Sequence, residues 1–377
     1  MKNIVSDFNL TPITDNLKQD YIFVDNEIQA SLEKIKFHKI FKKHSRINKR
    51  HGYSIESIVY TLIIWAFLKK SSLKTFCEKC ISAFFPGGKD VLYDMMKSEK
   101  INWRLISLDT AKALYVQNNI ALENEKAFVF DDTIKKRRGR KVEGTSNHFE
   151  HAEGRTVKGQ QMLELGLSFR NGFLPIDRQI FIGNKNSHYL NEEFKDGKSA
   201  VAKDFKCAKD ENKNEMFRAM LKRAVNHGFQ AKYTLADSWF NTKENIRTVK
   251  NLNMTGIFRA KRGKINYCLN GRNYGLKELY LYMKRRLRKK KNCKWKTASL
   301  IVKLNLSDNK KKEEWIDVKL VFSAPKNQKR EQWAAFLSTD ILLKNEKVLE
   351  IYAMRWAIEV YFKPESSTSL QSHFVTS

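Results

Sequence analysis

The chain changes its hydrophobic period once, near residue 125, and that change limits the folds open to it more than any other feature. Up to about Asn119 apolar residues recur at spacings of three and four, as in Ile55, Ile58, Val59, Leu62, Ile63 and Ala66, with Ser54 placed to cap the helix they define. From Ala127 the apolar residues gather instead in short runs of strand length: Ala127–Phe130, Met162–Phe169, Phe173–Ile182, Tyr233–Ala236 and Thr255–Phe258. The turn Arg170-Asn171-Gly172 predicts a hairpin between the second and third runs, and Glu215–Asn226 predicts a helix before the fourth. Strands over Ala298–Leu306, Trp315–Phe322 and Trp333–Ser338 follow, then a helix from about Asn345 to Lys363. The expected class is therefore α/β, with a sheet of antiparallel and parallel neighbours, preceded by a helical domain over residues 1–120.

A chain of 377 residues is long enough for two or three domains and for a core that needs no covalent staples. Lys and Arg total 71 against 41 Asp and Glu, a net charge of +30, so the surface field concentrates polyanions and nucleic acid is the first partner to consider. The charge is unevenly placed. Between Arg259 and Lys296 stand 15 Lys or Arg against one acid, Glu278, which marks residues 261–330 as a basic, strand-containing insertion. Within it the run Lys284–Lys291, including Lys284, Arg285, Arg286 and Arg288, is expected to follow a DNA backbone, with Arg259 and Lys261 at its approach. Trp295, just after the run, is expected in the core rather than against a base. Short basic helices at Lys34–Arg50 and at Asp90–Lys97, after the break Pro86-Gly87-Gly88, suit either a DNA groove or a solvated face.

Five cysteines without an even, regular spacing fit free thiols in a reducing compartment, so the expected location is cytoplasmic. No basic-then-apolar leader opens the sequence, and the apolar stretch Ile58–Leu68 is far shorter than the roughly 20 residues of a membrane span. Cys77-x2-Cys80 is half of a zinc site with no second close pair, and His148-x2-His151 lacks further ligands at metal spacing. No Gly-x4-Gly-Lys-Ser/Thr phosphate loop occurs, so ATP use is not implied.

Three acidic residues stand at the ends of apolar elements. Asp131-Asp132-Thr133 follows Ala127–Phe130, Asp237 ends Tyr233-Thr-Leu-Ala-Asp, and Glu359 lies in Arg355-Trp-Ala-Ile-Glu-Val-Tyr-Phe, apolar nearly all round. A carboxylate in such a place needs a cation or hydrogen-bond partner. Strand-end aspartates also cap turns, and Glu359 can pair with Arg355 at i,i+4, so the joint context matters more than any one acid. Oxygen ligands from a few carboxylates suit Mg²⁺, and such ions inside a basic surround suit phosphodiester chemistry on DNA.

Three segments, Val129-Phe-Asp-Asp-Thr, Leu235-Ala-Asp-Ser-Trp-Phe and Tyr352-Ala-Met-Arg-Trp-Ala-Ile-Glu, resemble the acidic motifs of DDE transposases from bacterial insertion sequences, the subgroup whose last motif reads Tyr-x2-Arg-x3-Glu-x6-Lys. The similarity covers about 125 to 363 and includes His151, Lys158-Gly159 and Phe173-Leu-Pro-Ile-Asp. It implies a ribonuclease-H-like core over 121–260 and 331–363, interrupted by a β-rich insertion. It further implies two Mg²⁺ (or Mn²⁺) ions held by Asp132, Asp237 and Glu359. Asp132 is preferred because the family's acid precedes a Thr; pattern alone does not separate it from Asp131.

On the same resemblance Tyr352 and Arg355 contact phosphate near the cut, or else support Glu359; helical spacing places 352, 355 and 359 on one face. Lys158 joins the expected DNA contacts. The implied partners are double-stranded DNA, as element ends and target, and a second copy of the chain in a synaptic dimer. The signature departs at its end: Ser366 stands where Lys is expected, after Pro364, and residues 364–377 read as an aberrant or disordered tail. The expectation is a truncated or frameshifted copy, with Lys363 replacing the missing cation in part. Two alternatives stay open: a related nuclease that does not join DNA, and an inactive copy that only binds it.

Overall fold

A computed structural model of the chain describes residues 26–47, 51–67, 72–79, 81–137, 142, 144–150, 154–170, 172–182, 194–195, 197–263, 265–289, 295–307, 312–325 and 332–362. The expectations for Cys80, His151, Asn171, Cys293, Lys363 and the tail fall outside these residues. Contacts divide the chain into two compact units, one of Met1–Leu114 with Glu192–Lys206 and one of Tyr115–Asn191 with Cys207–Ser377.

In the first unit the described chain is helical: α1 (26–34), α2 (Phe37–His44), α3 (Ile55–Phe67), α4 (Leu73–Lys79), α5 (Lys89–Met96), most of α6 (Trp103–Gln117) and the first part of α7 (Ala200–Asp210). The Ser54 hydroxyl accepts from Ser57 N at 3.1 Å, so α3 starts where its cap dictates. Its apolar stripe buries Ile58, Val59 and Ile64 against Phe41, Phe76 and Leu92. Asp109 of α6 ties down the end of α2, bonding Lys43 Nζ at 2.9 Å and His44 Nε2 at 2.7 Å.

The second unit is built on one mixed sheet of twelve strands among the described residues. These are β1 (Lys126–Lys136), β2 (Ser146–Glu150), β3 (Arg155–Phe169), β4 (Gly172–Phe181), β5 (Tyr233–Ala236), β6 (Thr255–Arg259), β7 (Asn266–Leu269), β8 (Arg272–Gly275), β9 (Arg288–Lys289), β10 (Trp295–Asn305), β11 (Trp315–Pro325) and β12 (Ala334–Ser338). The order is β2-β3-β1-β5-β6-β12-β11-β10-β7-β8, with β4 also on β3 and β9 on β10. Antiparallel β4, β3 and β1 come first, and β5 and β6 then run parallel to β1. Chain between β6 and β12 extends the sheet and adds helix α10 (Leu276–Lys284).

Residues 126–130 of β1 are buried on both faces. Buried Lys126 is tolerated because its ammonium donates to the Ile120 and Ala121 carbonyls at 3.2 and 2.5 Å. Ala127 and Val129 pack with Tyr233, Leu235, Ile257, Val348, Ile351 and Ile358, the face carrying α11 (Asn345–Ala353) and α12 (Trp356–Phe362). Phe130 packs on the opposite face against Phe217 of α8 (Lys213–Asn226) and against Phe240, just before α9 (Lys243–Asn251), with ring centroids 4.8 Å apart in both pairs. Helix α8 opens with a capping box in which Asn212 and Glu215 each satisfy the other's backbone N–H.

Two expectations are corrected. The helix expected from Asn345 to Lys363 is broken at Met354 and Arg355, where N–H groups bond three residues back instead of four. The break lets the two halves serve different strands: Tyr352 of α11 lies against Phe336 of β12, and Tyr361 of α12 against Phe173 of β4. Trp295, expected in the core, is 48% exposed at the start of β10. No helix among the described residues is long and apolar enough to cross a membrane.

Candidate active site

Side chains alternate across a strand, so Asp131 continues the face of Ala127 and Val129 while Asp132 continues that of Phe130. Their partners agree. Asp131 Oδ2 accepts from Arg355 Nη1 at 2.7 Å, and Arg355 Nη2 also binds the Glu359 carboxylate. Asp132 Oδ2 instead accepts from Lys213 Nζ and Gln161 Nε2, both at 2.6 Å. Of the two neighbours it is Asp131, not the Asp132 preferred from the sequence, that shares a face with Glu359.

Asp237 stands one residue beyond β5, whose Ala236 is the register partner of Phe130, so Asp237 follows beside Asp131. Its Oδ1 accepts from Trp239 N at 2.8 Å, a turn bond that fixes the carboxylate. The charges feel one another. Burial raises Asp131 to about 7 against the pull of Arg355 and of the Asp132 amide, and the Asp132 and Asp237 carboxylates add to the rise. Burial likewise raises Tyr352 to about 12, Arg355 and Arg259 opposing and the Asp237 charge reinforcing. Tyr352, Arg355, Arg259, Asp131, Asp237 and Glu359 thus form one electrostatic neighbourhood at the ends of β1, β5 and β6.

Nothing in the sequence pattern singled out a second cluster beside it. Glu164, register partner of Asp131, is 2% exposed, and burial raises it to about 7 although Arg178 pulls the other way. Arg178 Nε donates to Glu164 Oε2 at 2.6 Å and its Nη2 to the Tyr361 hydroxyl at 2.6 Å. The triad joins β3 and β4 to α12, the helix that carries Glu359. One signal was available, a lone acid inside the apolar run Met162–Phe169.

The expected basic residues divide. Arg259 lies in the acid neighbourhood, and Lys261 Nζ lies 5.1 Å from the centroid of the Trp239 ring. Lys158 pairs with Asn147 at the Lys136 end of the β1–β3 ladder, five residues along β1 from Asp131, on the order of 17 Å. Lys284, Arg285, Arg286 and Arg288 are exposed around the end of α10. Arg286 and Arg288 line a separate cleft of about 500 Å³ with Lys319, Lys344 and Glu346.

Among the described residues no three acidic, His or Cys side chains converge closely enough to hold a metal ion as they stand. The donor chemistry nevertheless suits one. Asp131, Asp237 and Glu359 supply hard oxygens, and the Arg355 guanidinium already lies between two of them as a cation. Asp131 remains raised despite that guanidinium because burial outweighs its pull.

Comparison with known proteins bears on the same residues. Residues 68–269 match the family described as DDE superfamily endonuclease, a span that includes Asp131, Asp132 and Asp237. Residues 196–364 match the family described as transposase DDE domain, a span that includes Asp237, Tyr352, Arg355 and Glu359. No curated protein matches the chain. Among solved structures it is similar to the Drosophila P element transposase of a strand transfer complex, at 8% identity and a TM-score of 0.24, covering 69% of this chain and 55% of that one. A similarity that slight says nothing of the fold, and this chain spans little more than half of that transposase.

Proposed function

This chain belongs to the DDE superfamily of endonucleases, and from that premise we propose that it is a transposase that cuts DNA at the ends of its element and joins them to a target. The observation that carries the proposal is the bonding of Arg355 to both Asp131 and Glu359, with Asp237 near enough to act on the Asp131 carboxyl. The sheet supports it as well. Antiparallel β4, β3 and β1 flanked by parallel β5 and β6 suit a ribonuclease-H-like core, with the basic chain of 261–330 inserted before the last helices.

Members of the superfamily generally use divalent metal ions. Asp131, Asp237 and Glu359 would hold Mg²⁺ or Mn²⁺, and such ions, when bound, activate water and stabilise a leaving oxygen. The chain's own residues do the rest. Arg355 holds Asp131 and Glu359 in place, and its Nε, buried without an acceptor among the described residues, leaves the guanidinium able to bond a phosphate oxygen when the carboxylates turn to a cation. Tyr352, kept protonated by burial, donates its hydroxyl to the same phosphate. Arg259 and Lys261 neutralise the strand beside the cut. Lys284, Arg285, Arg286 and Arg288, with Lys158, hold DNA further away, and the N-terminal helices bind DNA as well. Element ends and target are double-stranded DNA, the working form is a synaptic dimer, and the cytoplasm is the place of action. Asp132 takes no part in the metal site on this proposal; it holds Lys213.

The test is Mg²⁺- or Mn²⁺-dependent nicking of a labelled duplex carrying the element's ends, comparing wild type with Asp131→Asn, Asp132→Asn and Asp237→Ala. Loss of nicking in Asp131→Asn and Asp237→Ala with Asp132→Asn still active is expected. The reverse order for the two neighbouring aspartates would return the first carboxylate to Asp132. The family description as endonuclease favours a second reading, cleavage without joining, which paired-end reactions yielding no strand-transfer product would select.

A further inference from the structure

Strand β1 outruns its parallel neighbour: Ala236, the last residue of β5, pairs with Phe130, whereas β1 continues beside β3 to Lys136. By strand alternation Thr133 and Lys135 follow Asp131 on the face of Glu359. Arg137 extends that face. Its N–H bonds the Lys158 carbonyl at 3.0 Å, as the ladder requires, and its Nε donates at 2.9 Å to Gln160, the register partner of Lys135. Lys158, Gln160 and Met162 of β3 and Arg178 and Ile180 of β4 complete the face by the same alternation. Helix α12 meets it at Arg178, through Tyr361. Lys135, Arg178 and Ile180 are exposed, while Val157, Gln161 and Leu163, which point to the other side of β3, are buried.

Single lysines on a strand surface are ordinary. These differ in their company. Partial burial lowers Lys135, and the charges of Arg137 and Arg178 lower it further, so the cations feel one another. Among the described residues no carboxylate pairs with Lys135, Arg137 or Lys158, and Glu164, on the same face, is already bonded to Arg178. Cations gathered on one face without counter-charge favour an anion. Lys135 and Arg137 lie about 13 and 20 Å along β1 from Asp131 at the rise of a strand, so the anion that fits is an extended one that reaches the acids. Arg259 and Lys261 stand on the other side of those acids, because β5 and β6 flank β1 opposite to β3. A DNA strand cut at the acids continues on both sides of the scissile phosphate.

We propose that the face of Lys135, Arg137, Lys158 and Arg178 is a phosphate-binding track for duplex DNA on the side of the cut away from Arg259 and the insertion. The proposal rests on the DNA-cutting function above and gives the second arm of its substrate a place. In the sequence the charge continues past the strand, with six Lys or Arg among the seven residues 135–141.

Binding of the full chain in EDTA to two fluorescent duplexes of equal length tests the track without requiring cleavage. Both carry the cut site; one extends from it into the element and the other into the flanking DNA. Lys135→Gln combined with Arg137→Gln should weaken one duplex only, its slope of log K against log salt falling by up to roughly 2, near 0.9 for each phosphate released. Replacing Lys284, Arg285, Arg286 and Arg288 by Gln should weaken the other. Lys135→Gln alone should give about half the change of the double variant at an unaltered urea midpoint, which separates a lost contact from a folding defect, and Lys135→Arg should bind as wild type does. A double variant that weakens both duplexes alike, leaves both unchanged, or weakens the one that depends on the insertion would overturn the track alone. Failure of the wild-type chain to bind either duplex would overturn the DNA-cutting function on which it rests.

Discussion

Asp131 and Asp132 are one residue apart and a sheet thickness apart in what they touch: Arg355 for the first, Lys213 and Gln161 for the second. Substitution should separate them sharply. Asp131→Asn is expected to lower metal-dependent nicking by roughly a thousandfold, the scale seen when a group acting on a developing charge is removed. Asp132→Asn should cost roughly tenfold, as loss of a supporting partner does, with initial rates on the same labelled duplex as the measure. Proton competition gives a further expectation. Asp131 is raised to about 7, so below that point a proton occupies the carboxyl a cation would take. Nicking at fixed, subsaturating Mn²⁺ should therefore rise with pH up to about 7 and then level, whereas a profile flat from pH 5 to 8 would remove Asp131 from the metal site.

Helix α12 is short, seven residues, and cannot orient Glu359 by its own stability. Two contacts with β3 and β4 hold it. One is the triad of Glu164, Arg178 and Tyr361; the other is the Phe173 ring, which lies over Gly166 and meets Tyr361 at a centroid distance of 5.3 Å. A β-carbon on Gly166 would fall 2.1 Å from that ring, at the point where the β3–β4 register shifts. Gly166→Ala should therefore cost about 1–3 kcal/mol by overpacking, read from the urea midpoint at unchanged slope.

The triad also sets a pH dependence. Glu164 is raised from 4.5 to about 7, so between those values the folded chain binds more protons than the unfolded one, and stability falls as pH rises through the window. Asp131, raised over nearly the same window, adds a slope of the same sign, so Glu164→Gln should reduce that part of the metal-free stability profile; if the slope persists unchanged, the ionisation of Glu164 does not contribute to it.

Across the molecule as a whole the net charge of +30 governs how DNA is met. Replacing Lys284, Arg285, Arg286 and Arg288 together by Gln should reduce the slope of log K against log salt by up to roughly 3 to 4, near 0.9 for each phosphate no longer neutralised. A slope unchanged in titrations across salt would mean that this exposed run does not touch the backbone.

Much of the fold was legible in the sequence because periodicity is local. The strands expected at Ala127–Phe130, Tyr233–Ala236 and Thr255–Phe258 lie within β1, β5 and β6, the hairpin of β3 and β4 forms, and α8 starts close to where its pattern begins. The β7–β8 hairpin was missed although its signal was present: Asn270 and Gly271 both adopt positive φ, as the tight turns that Asn-Gly favours require. For the candidate site, the i,i+4 partnership of Arg355 with Glu359 was readable from spacing, and the acids stood visibly at the ends of apolar elements; that they belong to one site came from the resemblance.

The rest was not, because it depends on contacts between residues far apart in the chain. Which of two adjacent aspartates faces Glu359 turns on the phase of β1, and a fully buried strand shows no polar alternation from which to read it. The break between α11 and α12 follows from Tyr352 and Tyr361 packing on different strands, and the Glu164 triad unites residues from three elements. Local pattern along the chain was enough for most of the elements and for the excess of positive charge. Strand order, the face on which each acid lies and the partner that holds it emerged only on folding, since they follow from the packing of the whole sheet.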